Sequence, residues 1–336
     1  MARLRGMVIG CGFFARIQMA DWLRLRDLVE IVAACDADEA RARQFAADFA
    51  IPHAYTDAAA ALDAEQPDFA DIATRPESHL ALVEVAARRG AHVLCQKPLT
   101  PTLAESERLV QAAEAAGVRL MVNENWRWQG WYRELKRRLD LGEIGAVQNV
   151  VWLHSMADGI REPLYPNQPY FRDYPRLLIY ETLVHYLDCA RYLFGNPATL
   201  RATIKRNNPV IRGEDEANIR LEYAGGPRVW IRGTRCGQVM ENGAAMGRMR
   251  VDGSTGTIAM MGDGSLHRGT GALTRLDFEP PTLGYRGDSA YATQRHFAEC
   301  LAGGAAFETS GREYLFTVRM VEAAYESAAN RSTVRL

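Results

Sequence analysis

The sequence lacks most of the features that would set it apart from ordinary globular proteins. No apolar run approaches the ~18 residues that a membrane-spanning helix requires. The net charge of -1 provides no basic field for nucleic acid or an anionic membrane. The six cysteines are scattered, without a Cys-x-x-Cys pair or metal-ligand spacing, which favours buried thiols in a reducing compartment. The first strand pattern leaves no room for a signal peptide. These absences predict a cytoplasmic protein with no bound metal and no nucleic-acid or membrane partner.

The first third of the chain alternates strand and helix patterns. Strands separated by single helices predict a parallel sheet with right-handed crossovers. The 336 residues suffice for two domains, and we assign residues 1–123 to the first. The predicted strands are Leu4–Ile9, Val29–Cys35, Phe69–Thr74, His92–Gln96 and Val118–Asn123, and the predicted helices are Phe14–Leu25, Glu39–Phe49, Glu77–Arg89 and Leu103–Ala116.

After Asn125 the pattern changes, and we assign residues 124–336 to a second domain. Repeated strand patterns separated by Gly-rich turns predict an antiparallel sheet. The stretch from Ala157 to Arg176, rich in proline and aromatic residues, is long for a connection and is a candidate lid or oligomer arm. The C-terminal helix, 311–330, is available to pack back on the first domain. The predicted strands are 147–154, 199–205, 217–223, 228–234, 248–252 and 256–260, and the predicted helices are 132–141, 177–194, 291–301 and 311–330.

A glycine-rich turn directly follows the first strand and opens a helix. In Gly10-x-Gly12-x-x-Ala15, the glycines allow a tight turn and close approach to a pyrophosphate, and the helix N-terminus supplies positive potential. Asp36 ends the second strand, where an acid hydrogen-bonds the ribose hydroxyls and repels the 2′-phosphate of NADP. This favours NAD. Arg41 and Arg43 leave NADP open as the alternative. The predicted contacts in the turn are Gly10, Cys11, Gly12, Phe13 and Phe14.

Two further strand ends carry polar residues toward the predicted ligand crevice, because the carboxyl ends of parallel strands face it. Thr74 and Arg75 follow the third strand of the pattern, and His79 begins the next helix as either a cofactor contact or a packing residue. Gln96-Lys97-Pro98 follows the next strand, and the proline restricts the lysine before it. Gln96 and Lys97, like Thr74 and Arg75, are predicted cofactor contacts. A cation held there lowers the pKa of a substrate hydroxyl or stabilises its alkoxide.

Three ionisable residues, Glu181, His185 and Asp188, share one face of a predicted apolar helix. Such groups on a buried stripe are costly unless they are paired or functional. Two interpretations remain open: a catalytic cluster, or a structural Glu–His pair with Asp188 capping a neighbour.

Several segments in this order resemble the glucose–fructose oxidoreductase/inositol dehydrogenase/MocA family. They are VIGCGFFA, IATRPESH, CQKPLT, ENWRW and ETLVHYLD. The resemblance implies an N-terminal Rossmann domain, which is a doubly wound parallel sheet, and a C-terminal α/β domain on a large, mostly antiparallel sheet whose exposed face mediates homodimers or homotetramers. It also implies a catalytic lysine in a Glu-Lys-Pro motif and an Asp-x-x-x-His pair, which here become Lys97, Glu181 and His185.

The chain departs from that family pattern at two positions. Gln96 occupies the position where the family has Glu, which removes a negative neighbour of Lys97. Glu181 occupies the position where the family has Asp. The combination of GCGFFA, CQKP and ENxRW is similar to the branch that contains D-apiose dehydrogenases, although that branch has Asp where this chain has Glu181. Predicted substrate contacts are Asn125, Arg127, Trp128, Glu181, His185, Tyr165 and Tyr170, with Trp126 and Trp131 as candidates for stacking on a sugar or the nicotinamide, or for packing.

These observations predict an NAD(P)-dependent oxidoreductase that removes hydride from a sugar or polyol hydroxyl, such as that of D-apiose or a related aldose. His185 is the expected general base, since histidine has an ordinary pKa near neutrality. Lys97 is the expected positioning cation, while Glu181 and Arg127 orient neighbouring hydroxyls. Two alternatives are an NAD-dependent glycoside hydrolase or isomerase that oxidises its substrate transiently, and a non-catalytic metabolite-sensing regulator.

Overall fold

The structure is a computed structural model, and it describes residues 3–166, 168–237, 245 and 247–336. The chain forms two compact units. The first comprises Met1–Asn125 and Ser289–Val318, and the second comprises Trp126–Asp288 and Arg319–Leu336. Compactness thus places residues 124–125 and 289–318 with the first unit, whereas the predicted functional domains are 1–123 and 124–336. The functional assignment of the two predicted domains stays a prediction.

A six-stranded parallel sheet forms the centre of the first unit, in the order β3-β2-β1-β4-β5-β6, which confirms the predicted doubly wound sheet. The order reverses between β1 and β4, and ligands bind at such a switch point in open α/β sheets. The strands are β1 (Leu4–Ile9), β2 (Val29–Cys35), β3 (His53–Tyr55), β4 (Phe69–Ile72), β5 (His92–Gln96) and β6 (Leu120–Asn123). The helices are α1 (Phe13–Arg24), α2 (Glu39–Phe49), α3 (Ala58–Glu65), α4 (Pro76–Ala87), α5 (Leu103–Ala115), α8 (Ser289–Gly303) and the start of α9 (Gly311–Asn330).

An aromatic cluster explains why α8 belongs to the first unit. The rings of Trp22 on α1 and Phe69 on β4 lie 5.3 Å apart, and Phe297 on α8 lies 5.1 Å from Phe69. All three side chains are fully buried. Burying a large apolar side chain contributes about 1.5–3 kcal/mol, so this contact helps to hold the helix on the sheet.

The second unit is built on a nine-stranded sheet in the order β14-β13-β12-β11-β7-β10-β9-β8-β15. Its strand pairs are antiparallel except for β7 and β10, which confirms a mostly antiparallel sheet. The strands are β7 (Val147–Ser155), β8 (Thr199–Lys205), β9 (Glu216–Glu222), β10 (Arg228–Thr234), β11 (Gly247–Gly253), β12 (Thr257–Met260), β13 (Leu266–Gly269), β14 (Thr274–Arg275) and β15 (Val334–Arg335). The complete helices are α6 (Gly130–Asp140) and α7 (Val184–Phe194).

The predicted helix over residues 177–194 is not uniform. It begins with a π-helical segment, Leu178–Leu183, and continues as α7. The buried carboxylate of Glu214 accepts hydrogen bonds from the backbone N–H groups of Leu177 and Ile179, at 3.1 and 2.9 Å, and from the hydroxyl of Tyr325 at 2.6 Å. A distant side chain therefore supports the start of this helix, and local periodicity gives no sign of it.

None of the helices among the described residues combines the length and the apolarity needed to cross a membrane.

We expect Phe297→Ala to lower the free energy of unfolding by about 3–5 kcal/mol, because it opens a cavity between α1, α8 and β4. Urea denaturation measures this loss. Glu299→Ala, an exposed change on the same helix, is the control and should stay within about 0.5 kcal/mol of the parent. Equal effects of the two substitutions would contradict the role of the aromatic cluster.

Candidate active-site residues in the two units

The glycine-rich turn after β1 is shaped by a close approach to the end of β4. Gly10 has a φ of +93°, and a Cβ added there would lie 2.7 Å from the carbonyl oxygen of Ala73. Gly12 precedes α1 as its N-terminal cap, and a Cβ added to it meets no atom within 4 Å. The turn therefore leaves the helix N-terminus open, as binding of a pyrophosphate requires.

The carboxylate of Asp36 lies directly against this turn. It accepts hydrogen bonds from the backbone N–H groups of Cys11, at 2.9 Å, and of Asp38, at 3.0 Å. An acid in this position suits the ribose hydroxyls of NAD. Arg41 lies 3.6 Å from the Asp36 carboxylate, and Arg43 pairs with Glu39 at 2.6 Å, so both arginines have acidic partners. The residues present fit NAD.

The other predicted residues of the turn differ in exposure. Burial raises the pKa of the Cys11 thiol to about 12, so this cysteine is neutral near pH 7. Phe13 is 48% exposed at the first position of α1, and Phe14 beside it is half-buried. Their contacts with the cofactor stay predictions.

At the end of β4, the three predicted cofactor contacts occupy different environments. Thr74 accepts a hydrogen bond from Ser78 at 2.7 Å, and exposed Arg75 caps α4. His79 is fully buried, and its two ring nitrogens contact the carbonyl oxygens of Thr74, at 3.1 Å, and Leu99, at 2.9 Å. Burial lowers its pKa. His79 thus joins the segments after β4 and β5, and its contact with the cofactor stays a prediction.

Lys97 follows β5 and is half-buried. Its backbone N–H donates to Oε1 of Gln96 at 2.9 Å, and Nε2 of Gln96 donates to Oε1 of Gln18 at 3.4 Å. Nε2 of Gln18 donates in turn to the carboxylate of Asp71, at 2.8 and 2.9 Å. Neither Gln18 nor Asp71 stands out in the sequence, since a single acid within an apolar strand gives no local signal.

In the second unit, the candidate base His185 is held by an aromatic ring. Its imidazole stacks on Trp126, with ring centroids 4.5 Å apart and planes 7° apart. Both residues are buried. The stack fixes the plane of the imidazole and therefore the directions in which its two nitrogens point.

Glu181 belongs to a charge network centred on the buried Arg235. Its Oε2 accepts from Nη2 of Arg235 at 2.8 Å and from the hydroxyl of Thr182 at 2.7 Å. Arg235 also donates to Asp158 at 2.5 Å, and burial raises the pKa of that carboxyl. Arg235 connects the helix segment with the long loop, and no local pattern indicates this role because the arginine lies 54 residues from Glu181.

Asp188 and Arg127 form a bidentate ion pair. Nε and Nη2 of the arginine donate to the two carboxylate oxygens at 2.7 and 2.6 Å, and both side chains are buried. Asp188 therefore has a charged partner on another element. The predicted contact of Arg127 with a substrate hydroxyl stays a prediction.

The remaining predicted residues pack mainly against other side chains. In the first unit, Nδ2 of Asn125 donates to the hydroxyl of Ser289 at 3.1 Å. In the second unit, Tyr165 and Tyr170 pack against Phe171 in the long loop, and burial raises the pKa of Tyr165 to about 12. Other aromatic contacts in this unit are the ring of Trp128 beneath Arg133, at 3.7 Å, and fully buried Trp131.

The fold and the turn after β1 define an NAD-binding oxidoreductase. Residues 4–124 match the oxidoreductase family with an NAD-binding Rossmann fold, and residues 132–259 match the GFO/IDH/MocA C-terminal domain. The chain belongs to the glucose–fructose oxidoreductase/inositol dehydrogenase/MocA family of oxidoreductases, and NAD is its cofactor.

Two curated relatives align with nearly the whole chain. The D-apiose dehydrogenase of Paraburkholderia graminis is 39% identical over 99% of this chain and 90% of its own length. That of Rhizobium rhizogenes is 36% identical, over 99% and 98%. An oxidoreductase from Agrobacterium radiobacter, solved in complex with NAD+, L-tartaric acid and magnesium, superposes with a TM-score of 0.92 at 35% identity, covering 99% of this chain and 98% of its own.

Replacing Asp36 with Asn should shift cofactor preference toward NADP. The amide keeps an acceptor for the N–H of Cys11 but removes the negative charge that opposes a 2′-phosphate. Because like charges in contact cost several kcal/mol, we expect the NADP-to-NAD ratio of kcat/KM to rise about tenfold or more. Steady-state kinetics with both cofactors measures this ratio. Asp27→Asn, an exposed change in the same unit, should leave it unchanged, and an unchanged ratio in Asp36→Asn would contradict the assignment.

The buried carboxyl of Asp71 should make stability depend on pH. Burial raises its pKa from 3.8 to about 7. The folded state therefore binds this proton more tightly than the unfolded state, and the resulting stability is lost as the pH rises from about 4 to about 7. Asp71→Asn should remove that loss, which urea denaturation across this range measures. If the free energies of unfolding of the parent and the variant change with pH in parallel, Asp71 does not titrate in this range. Asp27→Asn is the control.

Proposed function

We propose that the chain oxidises a hydroxyl of an aldose, with D-apiose or a closely related sugar as substrate. The support is that two D-apiose dehydrogenases align with 99% of the chain, and that the family consists of NAD-binding oxidoreductases. When bound, NAD accepts the hydride that leaves the substrate carbon.

The observation that carries the proton step is the stack of His185 on Trp126. Oxidation of a hydroxyl releases its proton, and a ring nitrogen of the His185 imidazole accepts it. Because the ring plane is fixed by Trp126, the accepting nitrogen does not have to be oriented at each turnover. The buried setting also limits competing exchange with water.

Lys97 is the cation in this proposal. Its ammonium group stabilises the negative charge that develops on the substrate oxygen as the proton leaves. The turn that begins at Gln96 fixes the backbone of this lysine through the 2.9 Å hydrogen bond. His79 supports the following residues through the carbonyl of Leu99.

Glu181 positions a second substrate hydroxyl by accepting a hydrogen bond. Arg235 and Thr182 hold its Oε2, which restricts the rotation of the carboxylate. The other substrate contacts in the proposal are Asn125, Arg127, Trp128, Tyr165 and Tyr170. Residues 1–123 carry cofactor binding and residues 124–336 carry substrate binding. The proposed assembly is a homodimer or homotetramer in the cytoplasm.

The test is NAD reduction, followed by absorbance, with D-apiose and a panel of other pentoses, hexoses and polyols. His185→Ala should lower kcat by roughly 10²- to 10⁴-fold, as expected for loss of a general base. Lys97→Ala should lower kcat as well. NAD binding by His185→Ala, measured by calorimetry, should persist.

Matched controls are His53→Ala and Lys205→Ala, which change exposed residues of the same types. Full activity of both Lys97→Ala and His185→Ala would overturn the catalytic assignment. Failure of the parent protein to reduce NAD with any sugar or polyol would overturn the proposed reaction class.

A further inference from the structure

We propose that Asp71 is a positioning residue for Lys97, acting through Gln18 and Gln96. Because of Asp71, glutamine fits the position before this lysine and glutamate does not. The proposal rests on the function proposed above for Lys97. It concerns four residues of the first unit that are connected by consecutive hydrogen bonds.

The direction of this chain of hydrogen bonds is set at Asp71. Both oxygens of Asp71 face N–H donors, so this side chain is the acceptor in the arrangement that the structure shows. Nε2 of Gln18 lies 2.8 and 2.9 Å from its two oxygens, and Nε1 of Trp22 lies 2.8 Å from Oδ2. Because Gln18 must direct its NH₂ group at Asp71, its amide oxygen faces the other way, toward Gln96.

The chain of hydrogen bonds continues from Gln18 to the lysine. Oε1 of Gln18 lies 3.4 Å from Nε2 of Gln96, which is a donor facing an acceptor. The amide oxygen of Gln96 therefore faces the backbone N–H of Lys97, at 2.9 Å. The Asp71 carboxylate thus determines how the amides of Gln18 and Gln96 are oriented. As a result, the amide oxygen of Gln96 accepts the hydrogen bond from the backbone N–H of Lys97.

A glutamate at position 96 would conflict with this arrangement. Its second oxygen would replace Nε2 and face Oε1 of Gln18, so that two acceptors would meet in a buried site. If Gln18 turned its amide over to donate to this glutamate, its oxygen would face Asp71. An unsatisfied buried polar group costs about 1–3 kcal/mol, and two carboxylates in one buried network also repel. This accounts for the glutamine where the family has glutamate.

The network is held rigidly by its surroundings. Asp71, Gln18 and Trp22 are almost entirely buried, and Nε2 of Gln294 donates to the backbone carbonyl of Gln18 at 3.0 Å. The neighbouring titratable group on β5 is the thiol of Cys95, whose pKa is raised by burial and by Asp71. A glutamate at 96 would therefore add a second carboxyl to the network that holds Asp71, next to a neutral Cys95.

A double-mutant cycle tests the proposal. Gln96→Glu alone should lower kcat with the sugar about tenfold or more. Adding Asp71→Asn should restore kcat to within about threefold of the parent, because the new amide donates to Oε1 of Gln18 and lets Gln18 donate to the glutamate. Additive effects of the two substitutions would overturn the proposal. Gln111→Glu, an exposed change on α5, is the control for the added charge.

Stability of the single Gln96→Glu variant provides a second test that needs no Asp71 variant. Below about pH 4 a protonated glutamate has an O–H group that can donate to Gln18, as the amide does. Since the buried site raises the pKa of this carboxyl, the stability relative to the parent should be highest in acid and fall as the pH rises. Urea denaturation across pH measures this difference, and a loss independent of pH would contradict the proposal.

Lys97→Ala separates this proposal from the proposed function. If Lys97→Ala is inactive while the Asp71 and Gln96 substitutions are additive, only the positioning role fails. If Lys97→Ala retains activity, the catalytic role of the lysine fails, and the pH-dependent stability of Gln96→Glu still reports on the network itself.

Discussion

The close contact between the end of β1 and the end of β4 is the constraint on which the cofactor unit depends. The N–H of Gly10 donates to the carbonyl of Cys35, while the N–H of Ala73 donates to the carbonyl of Ile9. The turn is thereby fixed between two neighbouring strands, and a side chain at Gly10 would collide with Ala73. Only a glycine with a positive φ allows β1 to lead into α1 here, and that geometry places a helix N-terminus beside Asp36.

Charged groups buried within each unit are paired or hydrogen-bonded, and these partners shape the candidate site residues. Asp71 receives three hydrogen bonds, Asp188 has a bidentate arginine, and Glu181 shares Arg235 with Asp158. Loss of one partner from a buried pair leaves an uncompensated charge, so these networks tolerate few substitutions. The same hydrogen bonds restrict the rotation of side chains that must point in a fixed direction for the proposed reaction.

Sequence patterns predicted much of the fold because strands and helices leave local signals. The bounds of β1, β2, β5 and α2 match those expected from apolar runs and capping residues. The short strands β13, β14 and β15 were missed, because two to four residues carry too little periodicity. The helix predicted over 177–194 is confirmed as a helical segment from Leu178 to Phe194, but its π-helical first part gives no local signal, and Glu214, which accepts from the N–H of Leu177, is distant in sequence.

By itself the sequence determined the class of the protein, since a glycine turn between a strand and a helix, with an acid after the next strand, is a local requirement for NAD. It also identified Lys97 and His185 as candidates through residue type and position. Only the tertiary structure decided the partners of these groups: Trp126 for His185, Arg235 for Glu181, and Asp71 through two amides for Lys97. The reason is physical. Helical and strand periodicity depends on neighbours a few residues apart, whereas the partner of a buried polar group is set by packing between elements far apart in the chain.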